Sequence, residues 1–555
     1  MGGGREGGFS RWAALLPACA LFALHAAQFG TWQIDDAGIS FAYARNLAQG
    51  HGLVAQPGAI PVEGYSNPLW VFLLAVLSAL RLFDPLWTPK LLSFGLAFAT
   101  FALLDRLLAR TGVGAPLSAL ALGLLAAQSG FAIWMVSGLE NPLYTCLFVG
   151  LALLSLRAVQ EDASRGVPLA AGLLAAGLAL TRPEGILFAA LFPLALALSS
   201  GRRLARLGTY LTALALPVAA HLAMRLAWFG EWVPNTYYAK GGPTLATLGG
   251  LAALDSGPTT RALSLLRATF GKPGVWVGLG MLLALGYLVG RGRLRQETVL
   301  LVGAALLGAL PYLLLPLDWM PEFRFATPFF PLVLVLLAKI AAETAAVPGS
   351  PWGKVLGIWD SWDRRRLAGA ILSVALTVSV VASTLPRTRR FAARPTVPFS
   401  TVEERYGRDF NRIADRLRIR QGSILLPDVG GTLWRSRLTV YDLGGLCNRT
   451  IAKNLGKNDQ AFHDYVFGTL KPTFIHTHQY WTVRAKLDLD PRFGRDYVAL
   501  FEEVEPYVSA RSKGKILRSG DFVRREVAGR RPKEIAAIRE ELAAGYALER
   551  QGRGK

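Results

Sequence analysis

Apolar residues fall in long blocks over the first seven-tenths of this chain, with short polar clusters between them. The blocks lie at roughly 11–30, 67–83, 88–105, 114–134, 139–157, 167–181, 184–200, 206–228, 273–290, 297–316, 326–344 and 367–386. A run of about 18 or more apolar residues can cross a bilayer as a helix. Helices and closed barrels are the only backbones that satisfy their own polar groups in hydrocarbon. The pattern predicts a polytopic α-helical membrane protein with about 11–13 transmembrane helices. The blocks at 167–181 and 184–200 are separated by Thr181-Arg182-Pro183-Glu184-Gly185, where proline and charge together end a helix. The blocks at 67–83 and 88–105 must together make an odd number of crossings, so one of them is re-entrant or the pair is one crossing split in two.

From about residue 387 the pattern changes. Apolar runs shorten, and stretches such as ILLPDVGG (424–431) and LTVYDLGG (438–445) suggest strands. The expected organisation is a membrane domain over 1–386, with a first outer loop at 31–66, and an extracytoplasmic α/β domain over 387–555. The latter ends in a basic helical stretch, Arg525 to Gln551.

Composition supports this reading. Of 555 residues, 52% are hydrophobic and 18% charged, with a mean hydropathy of +0.34, too apolar for a soluble protein of this size. The formal charge of +22 would suggest nucleic acid in a soluble chain. Here the arginines sit between apolar blocks: Arg202, Arg203 and Arg206; Arg291, Arg293 and Arg295; Arg364, Arg365 and Arg366. Short basic loops mark the cytoplasmic side, which puts the N-terminus inside and the loop after the first block outside. That block is read as a retained signal anchor. The loops SGLEN, TRPEG, WFGEWVPNTYYAK and DWMPEFRF, and the tail, are also outside. Three cysteines, Cys19, Cys146 and Cys447, do not make a disulfide framework.

The outer loops carry the candidate chemistry. Asp35 and Asp36 are adjacent carboxylates just beyond the first block, and each needs water, a cation or a donor while repelling the other. Glu63 and Asn67, Glu140 and Asn141, Arg182 and Glu184, Asn235 with Tyr237, Tyr238 and Lys240, and Asp318, Glu322 and Arg324 gather on the same face. A carboxylate base beside cations suits sugar transfer: the base takes a proton from an acceptor hydroxyl, and arginine forks pair with phosphate oxygens. The acidic pair is also the place for a divalent cation, although two carboxylates are too few to define such a site. The bland readings are a solvated helix end for the acids, a local Arg182–Glu184 pair, and a snorkelling Arg324. Asn448-Arg449-Thr450 matches a glycosylation pattern by chance. His476 and His478 alternate as on a strand and need further ligands to hold a metal.

The series DDAGISFAYARNLAQGHGLV, VEGYSNPLW, SGLENPLY, LTRPEGILFA, WVPNTYYAK, DWMPEFRFATPFFPL and PDVGGTLWRSRLTVYDLGGL resembles the GT-C superfamily of polytopic glycosyltransferases that use polyprenyl-phosphate sugars. The likeness is to the branch containing the mycobacterial terminal β-(1→2) arabinofuranosyltransferase. The resemblance implies that Asp35 and Asp36 are the base candidates. It implies that Glu63, Asn67, Glu140, Arg182, Glu184, Asn235, Tyr238, Lys240, Asp318 and Arg324 bind donor or acceptor. One departure is Gly38, where the resemblance implies a bulkier residue. The expected activity is inverting transfer of a sugar, with arabinofuranose the leading donor, from a polyprenyl phosphate to a cell-envelope glycan or glycolipid acceptor. The site would face outward from a bacterial cytoplasmic membrane, with membrane lipid and no nucleic acid as partners. The rival classes are a lipid-linked-sugar flippase or transporter, which usually shows related halves, and a non-catalytic envelope-assembly subunit.

Overall fold

The computed structural model describes residues 7–160, 166–199, 203–241, 256–315, 319–347, 362–511 and 517–553. Asp318 and Arg202 lie outside the described residues.

The apolar blocks form helices whose ends follow the polar clusters. Helix α1 covers Gly7–Ala27, and α2 covers Asp35–Ala48 inside the expected first outer loop. Helices α3 (Pro68–Ala79) and α4 (Thr88–Arg110) follow. Next come α5 (Ala115–Ala126), α6 (Ser129–Met135), α7 (Asn141–Gln160) and α8 (Gly166–Thr181). At the Arg182-Pro183 break the chain turns 3-10 over Pro183–Ala190 before α9 (Leu191–Leu198). Then come α10 (Arg203–Phe229), α11 (Asn235–Lys240), α12 (Ser256–Phe270), α13 (Gly274–Gly290), α14 (Gln296–Leu314), α15 (Phe329–Ala345) and α16 (Trp362–Ala393).

Among the described residues four helices, α4, α7, α10 and α14, are long and apolar enough to cross a membrane. Two bent pairs, α5–α6 at 65° and α12–α13 at 99°, raise this to six if each pair is one span. The α12–α13 bend falls at Lys272-Pro273, where proline cannot continue the hydrogen-bond ladder. Helix α3 has 12 residues, a rise of about 18 Å against a hydrocarbon core of roughly 30 Å.

Toward the C-terminus a five-stranded sheet runs in the order β2-β1-β3-β5-β4. Its strands are β1 (Ser423–Leu426), β2 (Thr439–Asp442), β3 (Phe474–Thr477), β4 (Tyr497–Glu503) and β5 (Ser519–Arg524). Strands β1, β2 and β3 are mutually parallel, while β5 runs antiparallel to β3 and β4. Helix α17 (Gly430–Arg435) follows β1. Alternation along the strands splits the core in two. Ile424, Leu426, Phe474 and Val523 join the large cluster that continues into the helices, with Phe22, Phe101, Phe131 and Trp134. Leu425, Ile475 and Phe522 face the other way, onto Phe462 and Phe493. The sheet is therefore a layer between the helical body and a second small core.

Candidate active site

Three long-range bonds fix the start of α2. Ile34 N–H donates to Ser137 O at 3.0 Å, Asp35 N–H to Val397 O at 2.9 Å, and Phe399 N–H to Gln33 O at 2.9 Å. The acidic pair is thus held between the loop before α7 and the segment leading to the sheet.

The two acids have different environments. Asp35 is 4% exposed. Its Oδ2 accepts from Gly430 N–H at 3.0 Å and its Oδ1 from Gly431 N–H at 2.7 Å. These are first-turn amides of α17, which have no partner within their own helix. Burial pushes the Asp35 carboxyl well above the ordinary carboxylate range, and the nearby Asp428 adds to this against the two amides. The approach is so close that a Cβ on Gly38 would lie 2.5 Å from the Gly430 carbonyl carbon. A bulkier residue at position 38, as the resemblance implied, does not fit, because α2 packs directly on the backbone of α17. Asp36 is half-buried and lies in the electrostatic reach of Asp35, Asp442 and Cys447. Asp36, Ser40 and Tyr43 follow an i, i+4, i+7 spacing and so share one face of α2.

The carboxyl ends of the three parallel strands meet this helix start. Asp428 lies two residues past β1, Asp442 ends β2, and His478 follows β3. Ligands of open α/β sheets bind in this kind of crevice. His478 Nε2 and Asp428 Oδ2 are 2.8 Å apart. Asp442 accepts from Gly445 N–H at 3.1 Å and Cys447 N–H at 2.7 Å. Burial, with a smaller contribution from Asp36, raises its carboxyl to about 6 against these amides. His476 turns instead to Asp521 at 2.7 Å, and Asp521 also binds Arg405 at 2.6 Å. The two histidines therefore serve different partners. Among the described residues no group of three or more His, Cys, Asp or Glu side chains is placed to hold a metal. Each Asp35 oxygen already accepts one amide hydrogen bond.

A second cluster continues from the Ser40 face. Ser40 Oγ donates to Asn67 Oδ1 at 3.2 Å, and Asn67 Nδ2 donates to Glu140 Oε2 at 2.7 Å. Glu140 also binds the Arg182 guanidinium, and Arg324 stands 3.7 Å away. Arg182 Nε donates to Glu184 Oε1 at 2.5 Å. Burial pushes the Glu140 carboxyl up, but Arg182 and Arg324 outweigh it and hold it below the ordinary range. The Arg182 guanidinium covers the Phe325 ring at 4.8 Å. Arg324 follows Glu322 and Phe323, both at φ +61°, a left-handed backbone that costs of order 1–3 kcal/mol where the residue is not glycine. Trp134 Nε1 donates to Glu322 O at 3.0 Å and helps hold that turn.

Of the other predicted residues, Glu63 and Asn235 lie beside the Tyr43 end of the same α2 face: Tyr43 Oη donates to Val62 O and accepts from the Gly64 amide, and Asn235 N–H donates to Glu63 O at 3.0 Å. Glu63 binds Arg225 at 2.5 Å and 3.2 Å, with His221 3.7 Å away. Asn235 donates to Gly445 O at 2.7 Å and Leu446 O at 2.8 Å, tying α11 to the loop after β2. Tyr238 donates to Glu231 at 3.0 Å, and Lys240 is exposed at the end of α11. Sequence reasoning missed Asp428, Asp442, His478, His221 and Arg225 as members of this region. The signal for the first two was an acid at the end of each strand in ILLPDVGG and LTVYDLGG. Arg225 was hidden inside an apolar block.

No protein-family model matches the chain, and no curated protein matches it in sequence. Its fold is nevertheless shared. The chain shares its overall fold with solved structures of ArnT and of an archaeal oligosaccharyltransferase. ArnT from Cupriavidus metallidurans in the apo state superposes with a TM-score of 0.54 at 13% identity, covering 84% of this chain and 92% of that one. ArnT bound to undecaprenyl phosphate gives 0.50 at 12% identity, covering 77% and 86%. The oligosaccharyltransferase of Archaeoglobus fulgidus in the apo form gives 0.51 at 12% identity, covering 85% and 70%.

Proposed function

We propose that this chain is an inverting membrane glycosyltransferase that moves a sugar from a polyprenyl phosphate to a cell-envelope glycan acceptor on the outer face of the cytoplasmic membrane, with arabinofuranose the leading donor. The observation that carries this reading is the division of labour within the acidic pair. Asp35 has both oxygens occupied by amides of α17, whereas Asp36 is half-buried on the α2 face that leads through Ser40 and Asn67 to Glu140, Arg182 and Arg324. The shared fold supports it, since ArnT is known in a form bound to undecaprenyl phosphate.

In this mechanism Asp36 accepts the proton of the acceptor hydroxyl. The freed oxygen bonds to the anomeric carbon from the side opposite the phosphate. The anomeric carbon–oxygen bond breaks, its electron pair stays on the leaving phosphate, and the configuration inverts. Arg182 and Arg324, both beside Glu140, are the cations that would steady that phosphate. Lys240, exposed on α11, is assigned no step.

The test is release of polyprenyl phosphate by purified protein supplied with a panel of lipid-linked sugars and envelope glycans. Asp36→Asn is expected to lose about 10²–10⁴ in rate, the usual worth of a general base. Undiminished turnover in that variant, correctly folded, excludes Asp36 as the base. Relocation of the lipid donor without its consumption would make the chain a flippase, and neither event would make it an assembly subunit.

A further inference from the structure

The far ends of α4 and α7 line a partly open cavity of about 320 Å³ that the proposed reaction does not use. It is lined by Arg106, Ala109, Arg110, Leu153 and Arg157. Arg106, Ala109 and Arg110 are spaced i, i+3, i+4 on α4, and Leu153 and Arg157 are spaced i, i+4 on α7, so each helix turns one face inward. Gln160 Nε2 donates to Arg110 O at 2.8 Å and clamps the two helix ends together. Helix α7 starts at Asn141, beside Glu140. Arg157 lies sixteen residues further on, about 24 Å along the axis at 1.5 Å per residue. Both helices are long and apolar enough to span, so the cavity opens on the membrane face opposite the Asp35–Asp36 pair.

The lining is chemically one-sided. Among the described residues it contains no carboxylate. The Nε of half-buried Arg157 is enclosed and has no hydrogen-bond partner. The C-termini of α4 and α7 supply roughly one unit of negative charge between them, which the guanidiniums of Arg106 and Arg157 outweigh. Guanidinium forks match phosphate oxygens, and Leu153 and Ala109 offer an apolar wall. Basic pockets between transmembrane helices at headgroup depth take lipid phosphates. We propose that this cavity binds the phosphate ester of an anionic phospholipid headgroup in the leaflet opposite the proposed active site. The ligand is chemically a phosphate ester, so free phosphate is the competing source.

The test places the full chain in bilayer discs of phosphatidylcholine with a minor share of phosphatidylglycerol, and counts retained lipid by native mass spectrometry after transfer to detergent. Wild type is expected to retain phosphatidylglycerol over phosphatidylcholine, and millimolar inorganic phosphate is expected not to displace it. Arg106→Gln with Arg157→Gln should lower retention about twenty-five-fold, at roughly fivefold per arginine. Arg291→Gln, an exposed arginine beyond α13, should leave it unchanged. Arg157→Lys keeps the charge and removes the fork, and an intermediate loss is expected should the double variant fail to fold. Equal retention in wild type and the variants, equal loss in Arg291→Gln, or displacement by inorganic phosphate would each overturn the lipid assignment.

Discussion

At the scale of single residues, two neighbouring acids with the same sequence signal stand in different surroundings. The oxygens of Asp35 cap the amides of Gly430 and Gly431. Asp35→Asn is expected to loosen that junction, read as faster limited proteolysis between α2 and the sheet, whereas Asp36→Asn should cost turnover and leave the digestion pattern unchanged. Asp442 gives a pH signature. Its folded-state carboxyl titrates at about 6 because it is buried, while in the unfolded chain it titrates near the ordinary carboxylate value of about 3.9. A raised carboxyl binds its proton more tightly when folded, so its contribution is fully present below about 4 and is lost as pH rises through about 6. Asp442→Asn should therefore be more destabilising at pH 4.5 than at pH 7.5, by about 2 kcal/mol, because at pH 4.5 the unfolded carboxyl is already mostly ionised. Thermal midpoints of both proteins at the two pH values check this, and an equal penalty at both would contradict the buried, proton-binding state.

At the scale of elements, the sequence was a good guide where one physical rule dominated. Helix ends at Arg110, Thr181 and Phe229 follow polar or proline breaks. The strands of ILLPDVGG and LTVYDLGG are where alternation put them. The sequence of α2 predicts an outer loop, because its pattern has no single apolar face. Ala37 to Ala44 are buried on every side, since α17 and the segment at Phe399 cover the face that would otherwise meet water. The partner of Asp35 was equally illegible, since it stands 395 positions away. Gly38 tests this contact by sign. Glycine to alanine inside a helix ordinarily stabilises by about 0.5–1 kcal/mol. Here the new methyl would sit 2.5 Å from backbone of α17, and overpacking of that kind costs typically 1–3 kcal/mol. Overpacking wins, so Gly38→Ala should lower the thermal midpoint. A raised midpoint would show that α2 and α17 do not pack as described.

At the scale of the whole molecule, the bond from Asp35 to α17 has a topological consequence. The carboxyl ends of the parallel strands and the start of α2 are in direct contact, so they must lie on the same side of the membrane. The basic loop after α13 should lie on the other side by the distribution of arginines. Arg412, exposed on the helix before β1, and Arg291, exposed after α13, sample the two sides. In intact spheroplasts a membrane-impermeant maleimide is expected to label Arg412→Cys, and to label Arg291→Cys only after permeabilisation, each measured above the background from Cys19, Cys146 and Cys447. The reversed pattern would put Asp36 on the cytoplasmic side and remove the outward-facing reaction. Equal labelling of both positions in intact cells would mean that the arginine distribution does not orient this chain. The expected pattern alone gives Asp36 access to an outer-leaflet lipid-linked sugar and an envelope acceptor together, because it brings the α2 face, the Glu140 cluster and the strand ends to one aqueous boundary.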